Sequence, residues 1–262
     1  MNLTDQIKKA SLVGAFFYAI FIPVALAECV MPSNADASRL HGVTDGDTIK
    51  LTGGTTVRLL GINTPELGRG ARKEQPLARE STKALQALLT DVIFLVDGDK
   101  PQDRYGRRLS HVFNESGRSA EEQLIAQGLG FFIGSDRQTG MADCLREAEN
   151  QARKAKLGLW REPYWLPMDV ASDALRAGFV VLKGRIDRVE HTRAAVWIET
   201  RGNVVLRVDR SELQRFSDSW WKSLSDREFI IKGWLVDRKG RQGPHKRWLM
   251  RLMYPDMMVP LD

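Results

Sequence analysis

Three short runs crowd carboxylates, guanidiniums and a carboxamide close together, residue types whose proximity can do chemistry. Asp45-Gly46-Asp47-Thr48 places two carboxylates two residues apart, a spacing that on a strand turns both to one side. Ten residues further on, Arg58-Leu59-Leu60-Gly61-Ile62-Asn63-Thr64-Pro65-Glu66 sets a guanidinium, a carboxamide and another carboxylate around a short apolar stretch. Asp103-Arg104-Tyr105-Gly106-Arg107-Arg108-Leu109 adds three guanidiniums and an aromatic ring. Oxygen donors such as Asp45 and Asp47 suit a hard cation, Ca2+ or Mg2+, and nothing in the set suits zinc. The histidines at 41, 111, 191 and 245 are scattered without ligand spacing. Planar guanidiniums match phosphate oxygens bidentately. Taken singly, each run also has an ordinary structural account. DGDT reads as a solvated turn, and 103–109 as an exposed basic loop. Thr64-Pro65-Glu66 reads as a helix start, with Thr64 capping and Pro65 at the first position.

The elements that must hold these runs are legible from periodicity. Residues 39–61 read as β-structure, with two strand-like runs flanking the turn pair Gly53-Gly54. Residues 75–89 have helical spacing, with Leu77, Ala84, Leu85, Leu88 and Leu89 available for one face. Residues 91–96 and 109–113 are strand candidates. Ser119 and Glu122 form a capping box for a helix ending near Gly128, and a further helix runs from about Ala142 to Lys156, with Gly158 as its stop. After 161–170, a linker or docking strap with Pro163 and Pro167, strands are predicted at 179–190, 194–199 and 203–209. A helix at 211–224 and strands at 229–237 and 246–253 follow. Five strands with a helix between the third and fourth is the order of an OB-fold. The predicted fold is mainly β with α: an OB-type five-stranded barrel with three helices, then a second, smaller OB-fold-like barrel.

The ends of the chain carry different information. Lys8 and Lys9 precede an apolar run ending in Ala25-Leu26-Ala27, the pattern of a secretory signal peptide cleaved after Ala27. An uncleaved anchor fits less well, because the run contains Pro23 and falls short of the roughly 20 residues a span needs. The expected organisation is a signal peptide at 1–27, a first domain at 28–162, a linker at 163–174 and a second domain at 175–262. A periplasmic or secreted protein with no stable membrane association after cleavage is expected. Cys29 and Cys144 are the only cysteines; in an exported chain they suggest one disulfide, the alternative being two free thiols. The formal charge of +6 is concentrated in residues 175–262, with 18 basic against 11 acidic residues. That excess suits an anionic partner. Five of the seven tryptophans (Trp197, Trp220, Trp221, Trp234 and Trp248) lie there too, interleaved with Arg193, Arg207 and Arg247. They offer either a stacking face for nucleic acid or barrel core. Ser219 and Lys222 formally fit a Ser-x-x-Lys pair, but without companion motifs they read as helix packing.

In order and approximate spacing, DGDT, RLLGINTPE and DRYGRRL together resemble the active-site motifs of the staphylococcal nuclease (thermonuclease) family. The likeness runs to Leu157-Gly158-Leu159-Trp160 and covers roughly residues 39–161. It implies an OB-type barrel with three helices, in agreement with the element reading. By position, the resemblance implies that Asp47 ligates the metal with Asp45 in support, and that Thr64 offers its carbonyl. Glu66 would orient or deprotonate the attacking water, and Arg58 and Arg107 would grip the phosphate. Tyr105 would lie beside the nucleotide, with Arg104 as a further substrate contact. Two departures stand out. Asn63 occupies the place of an aspartate in the metal shell of the staphylococcal enzyme, which predicts weakened calcium binding because ligand charge tunes affinity. GLGFFIGSD (128–136) lacks the tyrosines that the family places after its second helix. The implied activity is metal-dependent hydrolysis of DNA and RNA, with Ca2+ expected and Mg2+ or Mn2+ as alternatives, leaving 5′-hydroxyl and 3′-phosphate ends. The rival reading is a catalytically weak module that binds nucleic acid or protein without cleavage. Retention of Asp47, Arg58, Glu66 and Arg107 favours the enzyme.

Overall fold

Strands with one apolar face must cover it, and this chain does so by closing two sheets into barrels. The computed structural model describes residues 29–71, 73–135, 139–224, 227–239 and 246–261; the expected signal peptide lies outside them. The first half contains β1 (Asp36–Asp45), β2 (Thr48–Leu51), β3 (Thr56–Leu59), β4 (Ile62–Asn63), α1 (Ala78–Leu88), β5 (Val92–Gln102) and β6 (Arg108–Phe113). α2 (Ala120–Ala126), β7 (Phe131–Phe132) and α3 (Ala142–Lys154) follow. The barrel runs β1-β2-β3-β6-β5 and closes through β1 and β5; β3 and β6 are parallel and the other pairs antiparallel. Ile49, Leu51, Val57, Leu59, Ile93, Leu95 and Val112 fill its interior. Gly53 and Gly54 take φ of +100° and +93° in the β2–β3 turn, a conformation that a side chain would strain. Ser119 caps α2, its hydroxyl accepting the Glu122 amide at 3.2 Å. The Glu122 carboxylate accepts from the Cys29 amide at 3.3 Å.

The second half contains β8 (Met168–Asp169), β9 (Gly178–His191), β10 (Ala195–Thr200), β11 (Val204–Asp209), α4 (Asp218–Lys222), β12 (Glu228–Asp237), β13 (Trp248–Arg251) and β14 (Met258–Leu261). Its barrel runs β9-β10-β11-β13-β12 and closes through β12 and β9, with β11 and β13 parallel. This is the strand order of the first barrel again. The helix expected over 211–224 is instead a 3-10 turn at Arg210–Arg215 followed by α4. Phe216 is buried at the break, and Ser217 starts the second piece by accepting the Trp220 amide at 3.2 Å. Residues 163–170 pack as a strap: Trp165 and Val170 are buried and β8 pairs with β9.

The two barrels share an apolar seam. Phe131 of β7 belongs to the core of the second barrel, where its ring meets Trp160, Trp165 and Phe179 at 5.2, 5.7 and 5.5 Å. Gly134 faces Tyr254 so closely that a Cβ would sit 2.2 Å from the tyrosine Cβ. Arg146 of α3 pairs with Asp256 at 2.6 Å, and Glu149 of α3 pairs with Lys232 of β12. A disulfide joins Cys29 to Cys144 at the start of α3. Among the described residues no helix is long and apolar enough to cross a membrane.

Candidate functional site

The turn from β1 into β2 and the end of β3 bring the first two motifs together. Thr48 and Arg58 are register partners across β2 and β3, which puts Arg58 beside Asp47. Gly46 permits this closeness, because a Cβ there would meet the Thr64 hydroxyl oxygen at 2.6 Å and the Ser81 Cβ at 2.7 Å. Asp47 is buried, and its Oδ2 accepts from the Thr64 amide at 2.9 Å and the Thr64 hydroxyl at 3.1 Å. The same oxygen pairs with Arg58 Nη2 at 3.0 Å. Arg58 Nη1 donates to the carbonyls of Leu59 at 3.1 Å and Asp47 at 3.3 Å, while Nη2 reaches Asn63 Oδ1 at 3.4 Å. Asn63 and Thr64 are buried as well. The structure therefore draws Asp47, Arg58, Asn63 and Thr64 into one cluster.

Asp45 borders the cluster, and its Oδ1 accepts the Asp47 amide at 3.3 Å. Burial and then the Asp47 charge push its carboxyl up to about 6, outweighing the opposing Thr48 and Asp47 hydrogen bonds and the Arg58 charge. Two carboxylates converging on a dry spot resist joint ionisation, and a bound cation relieves that conflict. The donors here are all oxygen: two carboxylates, the Asn63 amide oxygen and the Thr64 carbonyl. By type they suit a hard divalent ion, although among the described residues no three His, Cys, Asp or Glu side chains gather as a metal-holding group.

Glu66 lies two residues beyond Thr64 and is exposed. Its backbone is clamped by Gln75, whose side-chain oxygen accepts the Glu66 amide at 2.7 Å and whose own amide donates to the Glu66 carbonyl at 3.0 Å. The third motif forms the loop between β5 and β6. Asp103 organises it, accepting the amides of Tyr105 and Arg107 at 2.9 and 3.0 Å and pairing with the Arg107 guanidinium at 2.7 Å. Arg107 is thus held by Asp103 within its own loop, whereas Arg58 joins the Asp47 cluster. Parallel register sets Arg58 opposite Leu109, so Arg107 sits at the mouth of the strand neighbouring Arg58. Tyr105 is 69% exposed, and Arg104 lies over its ring at 4.8 Å while donating to its hydroxyl at 2.7 Å.

Other groups turn to structural duties. In GLGFFIGSD, Phe131 and Phe132 point into cores, which occupies the segment where the family's tyrosines would stand. His111 Nε2 meets the Ser135 hydroxyl at 2.9 Å and Nδ1 lies 3.4 Å from Glu121, a triad-like set. His111 and Glu121 are wholly enclosed and Ser135 nearly so, which makes this set a buried polar brace. In the second barrel, Trp197 lies under Arg207 at 5.3 Å and Arg238 at 5.9 Å, and Arg247 is paired with Asp237 at 2.6 Å. Trp248 is buried, Trp220 and Trp221 pack on Phe216, and Arg193 is exposed. Sequence reasoning missed the buried Glu149–Lys232 pair. The available signal was a lysine inside the apolar run Phe229–Val236, and a glutamate four residues after Leu145 on the inward face of α3.

Comparison with known proteins bears on these residues. The family model described as staphylococcal nuclease homologue matches residues 56–162, a span that includes Arg58, Asn63, Thr64, Glu66 and Arg107 and begins after Asp47. The SPbeta prophage-derived endonuclease YokF of Bacillus subtilis (strain 168) is 32% identical over 127 residues, 46% of this chain and 43% of that protein. Endonuclease YncB of the same organism is 31% identical over 140 residues, 49% of this chain and 66% of that protein. An uncharacterized endonuclease of Escherichia coli O157:H7 is 29% identical over 138 residues, 48% of this chain and 84% of that protein. The chain thus spans less than half of the first of these relatives and just under two thirds of the second.

Proposed function

We propose, from the match of residues 56–162 to the staphylococcal nuclease family model, that the protein is a metal-dependent nuclease that hydrolyses phosphodiester bonds of DNA and RNA outside the cytoplasm. The observation that carries this reading is the convergence of Asp47, Arg58, Asn63 and Thr64 within hydrogen-bonding distance of one another. The relatives named endonucleases support it, and the Cys29–Cys144 disulfide supports an oxidising compartment, periplasmic or extracellular.

In this reading Asp47, the Asn63 amide oxygen and the Thr64 carbonyl would hold a divalent cation, Ca2+ first and Mg2+ or Mn2+ as alternatives, with Asp45 in support. When bound, the ion supplies Lewis-acid stabilisation of charge on the phosphate oxygens. Arg58 and Arg107 present planar donors to the same oxygens; Arg58 exchanges part of its contact with Asp47 for the substrate, and Arg107 does the same with Asp103. Glu66 takes a proton from water as the water oxygen bonds to phosphorus; the bond to the 5′-oxygen breaks and that oxygen takes a proton from solvent, leaving a 5′-hydroxyl and a 3′-phosphate. General-base help of this kind contributes roughly 10²–10⁴-fold in rate. Tyr105 and Arg104 flank the path of the nucleotide.

The test is release of acid-soluble nucleotides from denatured DNA and from RNA by the purified mature chain. Release with calcium that stops on adding chelator is the expected result. No release with calcium, magnesium or manganese, accompanied by retention of nucleic acid on the protein, would favour the rival reading of a binding module.

A further inference from the structure

Lys232 is completely buried, and its ammonium is paired with Glu149, itself 3% exposed, across the seam between the barrels. Nothing in the proposed hydrolysis uses either group, and stability is a poor reason for them. Replacing a buried ion pair by apolar residues is often neutral or stabilising. What distinguishes this pair is its second contact: Glu149 Oε1 accepts the Phe132 amide at 2.8 Å. Phe132 and Phe131 form β7, which pairs with β4 so that Phe132 opposes Ile62 and Phe131 opposes Asn63. The Ile133 amide continues the ladder to the Gly61 carbonyl at 2.8 Å. This two-stranded strip stands apart from both barrels, and two residues per strand hold little order unaided. From Lys232 the chain of contacts thus runs through Glu149, Phe132 and β4 to Asn63 and Thr64, and from Thr64 to Asp47.

A second tie reaches the far end of the same segment. Trp165, buried in the second barrel's core, donates from Nε1 to the Pro76 carbonyl at 3.1 Å. Pro76 follows Gln75, whose side chain and amide clamp the Glu66 backbone.

We infer that the second barrel positions the reactive segment 62–76 from both ends. Glu149, seated in the seam against the second barrel, fixes the strip bearing Asn63 and Thr64 through the oxygen that accepts the Phe132 amide, and Trp165 fixes the turn bearing Glu66. The inference rests on the nuclease reading for its catalytic consequence and on the structure alone for its mechanical one. Small displacements of reacting groups cost up to ~10²-fold in rate, so such bracing has a measurable output.

The experiment compares full-length Glu149→Gln/Lys232→Met, which keeps an acceptor for the Phe132 amide, with Glu149→Leu/Lys232→Met, which removes it. With a short single-stranded oligonucleotide, the glutamine pair should retain kcat within about threefold of the parent. The leucine pair should lose roughly tenfold or more in kcat, with KM little changed and melting temperature close to that of the glutamine pair. Amide hydrogen exchange at Phe132, Ile133 and Thr64 should be faster in the leucine pair. Equal kcat and equal exchange in the two double variants would overturn the inference, and so would an equal loss in both. If the leucine pair does not fold, Trp165→Phe carries the test, since it keeps the ring and drops the Pro76 hydrogen bond. A lowered kcat with intact melting is expected there, and an unchanged kcat would overturn the inference. If the parent cleaves nothing, the nuclease reading fails separately, and the exchange rates still decide the mechanical claim.

Discussion

Asn63 brings an oxygen to the cluster but no charge, while buried Asp47 and half-buried Asp45 beside it bring charge. Calcium affinity follows the charge of the ligand set. Asn63→Asp should therefore lower the calcium concentration for half-maximal activity by roughly tenfold, read from a calcium titration. An unchanged midpoint would remove the amide from the metal shell. Arg58 is the residue where two duties meet, since it neutralises Asp47 and reaches Asn63. Arg58→Lys keeps the charge and loses the planar fork, so kcat should fall by about 10–10²-fold even though the side chain remains cationic. Activity equal to that of the parent would show that a point charge suffices. At this scale the sequence displayed the residue types and their order, because DGDT, RLLGINTPE and DRYGRRL are contiguous. It could not display that Arg107 is held by Asp103, because that contact depends on how the loop closes.

The β5–β6 loop owes its shape to one carboxylate. Burial alone would push the Asp103 carboxyl up, but hydrogen bonds from the Arg107 amide and guanidinium and the Tyr105 amide hold it below the ordinary range. A depressed folded pKa contributes stability above the unfolded value, about 3.9 for Asp, and that contribution is lost as pH falls through the folded value. Asp103→Asn should accordingly lower the melting temperature at pH 7, and the difference from the parent should shrink below about pH 4. A difference that is constant across this range would mean that the charge of Asp103 is not what orders the loop. Long elements such as β9 and β12 were legible because their apolar, β-branched runs are continuous. β4, β7 and β8 were not, since two residues carry no period. The break in the helix expected at 211–224 was also hidden, because it falls at Phe216, which the packed barrel buries, and no glycine or proline marks it in the sequence.

Across the whole molecule, the basic excess of residues 175–262 suits an anionic partner, and the seam ties that half into the first. Phe131 and Glu149 would lose their surroundings, and the Trp165 tie to Pro76 would be lost, if the chain after residue 162 were removed. A chain truncated after residue 162 should melt well below the parent and bind hydrophobic dye, as followed by thermal denaturation. A truncated domain as stable as the intact chain would show that the seam contributes little. The Cys29–Cys144 bridge closes a span of 115 residues, and loops of about this length are worth up to ~4.7 kcal/mol in the chain-entropy model. Reduction should therefore lower the melting temperature without altering the cluster around Asp47, and no change on reduction would mean that the bridge does not restrain the unfolded chain. The most direct measurement of the central claim is the single-turnover rate on denatured DNA at saturating calcium for the intact chain and for Glu66→Ala and Arg58→Ala. Cleavage by the parent, with losses of at least about 10²-fold in each variant, is the predicted result. Equal rates in all three proteins would contradict it.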